Sequence, residues 1–206
     1  MATPAYATSS ELDSVNSILM SVGESPVNTL NTQSPEVAIA QKTLQQVTRE
    51  VLAEGWVFNT ENEVPFPVDS NDQIILSDSV LQVDTNRFYH SDIYNVIRKD
   101  SKLYDRYEHK DTFPDEGTMY LDVVWMYAFE DIPQSFRDYI TTRAIRKASL
   151  RMVSDLEINK ALEQDEVVAR SAAIEYDTRQ ADYNVFNDNR FKQSYNSFRP
   201  HQALRR

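Results

Sequence analysis

The spacing of apolar residues changes twice along this chain. From about Ser10 to Gly55 they recur every three or four positions, from Trp56 to Phe129 they fall into short runs broken by Asp, Asn, Ser and Pro, and after Asp131 the helical spacing returns. A period near 3.6 cannot settle as a strand, and a short punctuated run does not fill a helix face. The chain is therefore expected to fold as an α+β protein: a helical bundle of about four helices, a β-rich insertion between the second and third helices, and an extended C-terminal arm. The expected boundaries are 1–58 with 130–187 for the bundle, 59–129 for the insertion and 188–206 for the arm. At 206 residues, 41% hydrophobic and 26% charged, the chain is long enough for one large core or two small ones and has ordinary globular composition.

The helix ends are written in capping residues. Ser10 followed by Asp13 forms a capping box, Leu12, Val15, Ile18, Leu19 and Val22 make one face, and Gly23 supplies the left-handed stop. Ser34 precedes Pro35, whose missing N–H costs nothing in the first helical position. Val37, Ala40, Leu44, Val47 and Val51 then form a narrow stripe, closed by Gly55. Pro133 opens a third helix to about 158, carrying Phe136, Tyr139, Ile140, Ile145, Ala148, Met152 and Leu156. A fourth, over roughly 161–187, has Leu162, Val167, Ala172, Ile174 and Ala181 among charges, a stripe thin enough to be exposed or completed by a neighbour.

In the middle region, Trp56–Phe58, Gln73–Leu76, Leu81–Val83, Ile93–Lys99 and Met119–Tyr127 read as strands, with Leu121, Val123, Trp125 and Tyr127 alternating toward a core. Segments 59–72, 84–92 and 105–118 read as loops. Trp56, Phe58 and Trp125 suit a core better than a sugar-stacking surface.

Residues that could do chemistry are sparse. Three isolated glycines exclude a P-loop or a dinucleotide turn, and the absence of cysteine removes disulfides, thiolate metal sites and cysteine nucleophiles. His90 with Asp92, and Glu108 and His109 near Asp111, are the nearest approach to metal ligands, in a chain where acids beside histidine arise readily by chance. Asp115/Glu116 and Glu130/Asp131 could pair as glycosidase carboxylates, but the sixteen acids between residues 61 and 131 offer many such pairs. No cofactor, no metal and no enzymatic activity are expected. The first ten residues lack the charged and apolar regions of a signal peptide, and no apolar run approaches the roughly 20 residues of a membrane helix. A soluble product without a membrane partner is expected.

The net charge of −11 is uneven. Residues 61–131 carry −10, whereas 190–206 carry +5 with no acid. An acidic body does not grip a phosphate backbone, but it can let DNA slide past. In the basic tail, Tyr183, Phe186, Phe191, Tyr195 and Phe198 interleave with Arg190, Lys192 and Arg199, a composition shared by interface anchors and single-strand binders. Five cations are few for nucleic acid, which favours an interface.

Four segments resemble one known family. Asn16–Leu30 (NSILMSVGESPVNTL) is similar to the opening N-x-I-L-x-x-I-G-E-x-P-V of the tail tubular protein A family of short-tailed bacteriophages, the podoviruses. Glu54–Glu61 (EGWVFNTE) is similar to its GW-x-FNTE element. Arg98 with Leu103, Tyr104 and Asp105, and then Phe129–Ile140, match later segments in order. The resemblance covers about residues 10–190.

It implies a structural virion protein of the tail, assembled in the host cytoplasm: a homo-oligomeric ring of twelve subunits acting as head-to-tail adaptor or connector. Such a ring sits beneath the portal protein, continues into the tail nozzle protein, encloses the channel for double-stranded DNA ejection and supports tail fibre attachment. On this expectation Arg190, Phe191, Tyr195, Phe198, Arg199, Arg205 and Arg206 bind the portal. Val167, Ile174, Tyr183 and Phe186 lie between subunits, and loops 59–72, 84–92 and 105–118 are available to nozzle and fibre. The alternatives are a virion-associated envelope-degrading hydrolase using a carboxylate pair, and a single-stranded nucleic-acid binder using the aromatic arm.

Overall fold

A computed structural model describes residues 8–31, 34–86, 93–114 and 116–181. It contains four α-helices and five antiparallel strands, ordered α1 (Glu11–Ser21), α2 (Pro35–Leu52), β1 (Thr60–Pro67), β2 (Val80–Thr85), β3 (Val96–Lys99), β4 (Lys102–Asp105), β5 (Thr118–Trp125), α3 (Gln134–Met152) and α4 (Leu156–Gln180). The fold is α+β, with all five strands between the second and third helices.

The helix termini follow from their residues. Ser10 Oγ accepts from Asp13 N–H at 3.1 Å while Ser10 N–H donates to the Asp13 carboxylate at 3.0 Å, satisfying donors at both ends of the first turn. Gly23 takes φ +87°, and Glu24 N–H folds back to Leu19 O at 2.9 Å, so α1 ends in a Schellman turn. Asn16 then fastens the chain leaving that turn: its amide donates to Val27 O at 2.9 Å and its carbonyl accepts from Val27 N–H at 2.8 Å.

The bundle is organised around α3, which packs against α1, α2 and α4. Phe136, Tyr139, Ile140, Ala144 and Ala148 of α3 are fully buried among Val15, Ile18 and Leu19 of α1 and Val37, Ala40, Leu44, Val47 and Val51 of α2. α4 lies on the outside of α3, and among its residues only Ala173 is buried. A buried methyl is worth on the order of 0.8 kcal/mol against roughly 1.5–3 for a whole leucine or phenylalanine side chain. Ala169 and Tyr176, partly buried against the same core, add to the hold on α4.

The strands enclose a second core. β5 is the centre of a three-stranded sheet in the order β1-β5-β2, and β3 with β4 forms a two-stranded sheet. Met119, Leu121 and Val123 of β5 and Val80 of β2 meet Val96 of β3 and Leu103 of β4, with Ile74, Leu76 and Phe113 from the connections. Both sheets thus turn one face onto a shared interior.

Several readings from sequence need correction. Segment 59–72, expected as a loop, contains β1; its two prolines and two glutamates disguise a strand at the sheet edge, where proline is tolerated and charge discourages further pairing. Trp56–Phe58, expected as a strand, leads into a 3₁₀ turn at Val57–Asn59 instead. α3 ends at Met152, before 158, because Ser154 takes a left-handed φ of +60°, and α4 starts at Leu156, capped by Asp155. β4 had no separate signal. The arm 188–206 lies outside the described residues.

With so few glycines, left-handed turns fall to other residues. β3 and β4 are joined by Asp100 and Ser101 alone, both with positive φ (50° and 60°), the type I′ geometry that favours Asn-Gly. Ser101→Gly should therefore raise stability by about 0.5–1 kcal/mol, or roughly 2–4 °C in Tm at the upper value, read by thermal unfolding. An unchanged or lower Tm would contradict this account of the turn.

Candidate functional site

The insertion joins the bundle at two adjacent crossings, into β1 through residues 56–59 and out of β5 through 125–128. Asn59, fully buried, stitches them. Its Nδ2 donates to Leu52 O at the end of α2 and to Trp125 O at the end of β5, both at 2.9 Å, and its Oδ1 accepts from Trp56 N–H at 2.8 Å. Trp56 Nε1 donates to Val51 O at 2.7 Å. Gly55 makes the bend with φ +75°, close to Val124 of β5. Beneath this junction Trp56 and Phe58 pack on Phe136 with ring centroids 4.8 and 4.6 Å apart, and Tyr176 of α4 meets the same ring at 6.2 Å. The GW-x-FNTE element is a weld between two cores.

Charge fastens α4 beside this packing. Arg170 Nη2 donates to Glu54 at 2.8 Å, and Arg143 Nη1 approaches the same carboxylate at 3.4 Å. Both guanidinium groups donate to the Tyr139 hydroxyl, at 2.8 and 2.7 Å, and lie over its ring. Glu166, with a side chain only 13% exposed, pairs with Arg146. Glu50 pairs with Lys147, and this hydrogen bond holds the Glu50 carboxyl below its ordinary range. The Glu54 hydrogen bond raises the Arg170 guanidinium further. At the far end, Asp177 accepts from Val57 N–H at 2.8 Å, tying α4 to the junction.

What α4 shows to the outside is apolar in part. At 100° per residue, Leu156, Val167 and Ile174 fall on one stripe, turned roughly 135° from the face of Leu162, Ala169, Ala173 and Tyr176 that lies toward α3. They are 69%, 61% and 44% exposed. Leu150, Val153 and Ile158 are exposed around the α3–α4 elbow, and Val168 further round the helix.

The expected interface residues Val167 and Ile174 thus share an outward stripe, while Tyr183 and Phe186 lie outside the described residues. So do the expected portal-binding residues Arg190, Phe191, Tyr195, Phe198, Arg199, Arg205 and Arg206, together with His90, Asp92 and Asp115. Glu108 pairs with Lys110, and Asp111 accepts from Gln73 at 2.9 Å. Glu130 and Asp131 sit exposed in a 3₁₀ turn, Glu130 accepting from Glu11 N–H at 3.4 Å. Among the described residues no group of three His, Asp or Glu is placed to hold a metal ion, and no helix is long and apolar enough to cross a membrane.

Asn16, Asn59, Glu166 and Arg170 escaped the sequence reading. Asparagine is common in turns, and an inward Glu or Arg on a helix scores as surface. The one available signal was their place in the periodicity: Glu166 interrupts the run Leu162, Ala169, Ala173, Tyr176 at a core position.

A family model described as a tail tubular protein matches residues 12–183 of this chain. The chain is also similar to tail tubular protein A of Klebsiella phage KP34, at 30% identity over 129 residues, which is 60% of this chain and 63% of that relative. The match thus spans less than two thirds of the relative's length.

Because Asn59 satisfies buried groups from both cores, Asn59→Ala should cost about 3 kcal/mol and lower Tm by roughly 6–12 °C. Asn59→Asp should also destabilise, since a carboxylate cannot donate to the two carbonyls it would face. A change in Tm within error for either variant would show that the weld is not holding the two halves.

Proposed function

The chain belongs to the tail tubular protein family, structural proteins of the phage tail, and on that premise we propose that it is the subunit of the adaptor ring between portal and tail nozzle. Bundle residues 1–58 and 130–187 would form the ring wall, twelve copies side by side as the resemblance of its motifs implies, around the channel through which the genome leaves. The insertion, 59–129, would carry contacts to nozzle and fibre through segments 59–72, 84–92 and 105–118, the first of which holds the edge strand β1. Segment 190–206 would reach the portal, its arginines on carboxylates and its aromatics in grooves.

The observation that carries this reading is α4. A 25-residue helix with one buried residue, fixed along one side by ion pairs and presenting Leu156, Val167 and Ile174 on another, is a helix whose apolar burial is unfinished in a single chain. A neighbouring copy would finish it, as a coiled-coil partner completes a seam. The acid surplus of the insertion suits a protein past which DNA moves without adhering.

Val167→Asp with Ile174→Asp should leave the isolated chain folded, with stability within about 0.5 kcal/mol of the parent because both positions are exposed. Native mass spectrometry should then show the ring of the parent replaced by monomers; rings of unchanged stoichiometry would remove α4 from the interface. Deleting 190–206 should leave rings that fail to join portal-bearing heads. Normal attachment of the truncated protein to heads would end the portal assignment.

A further inference from the structure

The two sheets of the insertion differ in charge to a degree that the net value conceals. β1, β2 and β5 carry four acids, Glu61, Glu63, Asp84 and Asp122, and no base. β3 and β4 carry three bases, Arg98, Lys99 and Lys102, and one acid, Asp105; Asp105 is fully buried and Arg98 turns back to Val80 O and Asp78. Asp105 is spent inside the hairpin. Burial works to raise its pKa, but N–H donors from Tyr107, Asn95 and Glu108, with Lys110 nearby, outweigh burial and keep the carboxyl below its ordinary range. Asp105 is thus taken up by bonds within the hairpin and places no carboxylate on the outer face.

Register decides which of these groups face out. Val96 and Leu103 turn inward, so their strand neighbours Ile97, Lys99, Lys102 and Tyr104 turn outward. Lys99 lies over the Tyr104 ring at 4.4 Å and Lys102 is 3.5 Å from Asp111. Ile75, bridged to Lys102, adds a side chain 56% exposed to the same face, and Arg106 is exposed just beyond β4. On the other sheet, Asp84 of β2 stands directly opposite Asp122 of β5, and Asp122 Oδ1 accepts from Glu63 N–H at 3.0 Å. Like charges paired across strands are unfavourable within one chain. Both sheets turn their other faces onto one core, so the acidic and basic faces point away from each other.

We infer that the basic outer face of β3–β4 packs against the acidic outer face of β1-β5-β2 on a second copy of this chain. The inference rests on the ring reading and names a second contact within it. Each face repels its own kind, so a two-fold pairing of like faces is disfavoured. Opposite faces of one body meeting head to tail give a heterologous contact that can close into a ring. Nucleic acid is the weaker candidate for the basic face. The outward cations are few, they share the face with Ile75 and Ile97, and the rest of the insertion repels phosphate.

The test exchanges the charges. Lys99→Glu with Lys102→Glu makes both faces acidic, and Glu63→Lys with Asp84→Lys makes both basic; Asp122 is left alone because it binds within the sheet. Sedimentation velocity and mass photometry read self-association, and circular dichroism confirms that each variant is folded. Each charge variant alone should associate more weakly than the parent by on the order of tenfold or more. A mixture of the two should restore assembly by alternation, and the chain carrying all four changes should assemble by itself. Folded single-face variants that associate like the parent would overturn the face pairing while leaving the ring intact. A parent chain that stays monomeric up to its solubility limit would overturn the ring and this contact together. Unchanged self-association with loss of incorporation into tails would assign the basic face to a different virion protein.

Discussion

The Asn59 carboxamide is the point on which the rest of the structure hangs. A β insertion in a helical bundle has two crossings, and unless they are fixed to each other the two cores move as separate bodies. One buried side chain accepts a hydrogen bond from the incoming chain and donates to the carbonyls at the ends of α2 and β5. In a dry site such bonds are strong and their loss leaves bare carbonyls. Trp56, Phe58 and Phe136 seal the junction against water, and Tyr176 brings α4 into the same cluster. The relative placement of bundle and insertion is therefore set within each chain.

The outer helix is built on a different principle. α4 is placed by Glu54, Glu166 and Arg170 against Tyr139, Arg143 and Arg146, with modest apolar contact. Partly exposed ion pairs contribute little stability each, but they are directional, and a network of them fixes the rotation of a helix about its axis. That rotation determines which residues face outward. Leu156, Val167 and Ile174 are presented where a neighbour can cover them, and the charges hold them there in the single chain. For a family whose role is structural, geometry set before assembly is the property that matters.

Much of this was legible in the sequence. Ser10 and Asp13 marked α1 because their side chains bond the local backbone, Pro35 marked the first turn of α2, and the alternation in β5 reported one buried face. The thin stripe on α4 was visible as well. β1 was hidden because an edge strand carries prolines and charges for reasons unconnected with its own pairing. β4 was hidden because four residues give too little alternation to register, and its two-residue turn used Asp100 and Ser101 where glycine would have announced it. Asn59 lay inside the GW-x-FNTE element, yet its role was not readable there, since its partners at Leu52 and Trp125 are set by the tertiary fold. The opposed charges of the two sheets became meaningful only once register assigned them to faces.

The central claim is that a single chain is rigid at its weld and unfinished along α4. Amide hydrogen exchange on the isolated chain and on the assembled particle addresses both halves at once. The account predicts that amides around Val167 to Ile174 gain protection on assembly while those of the Trp56–Asn59 junction, already locked, change little. Exchange along α4 that is the same in both states, with new protection confined to other elements, would contradict it.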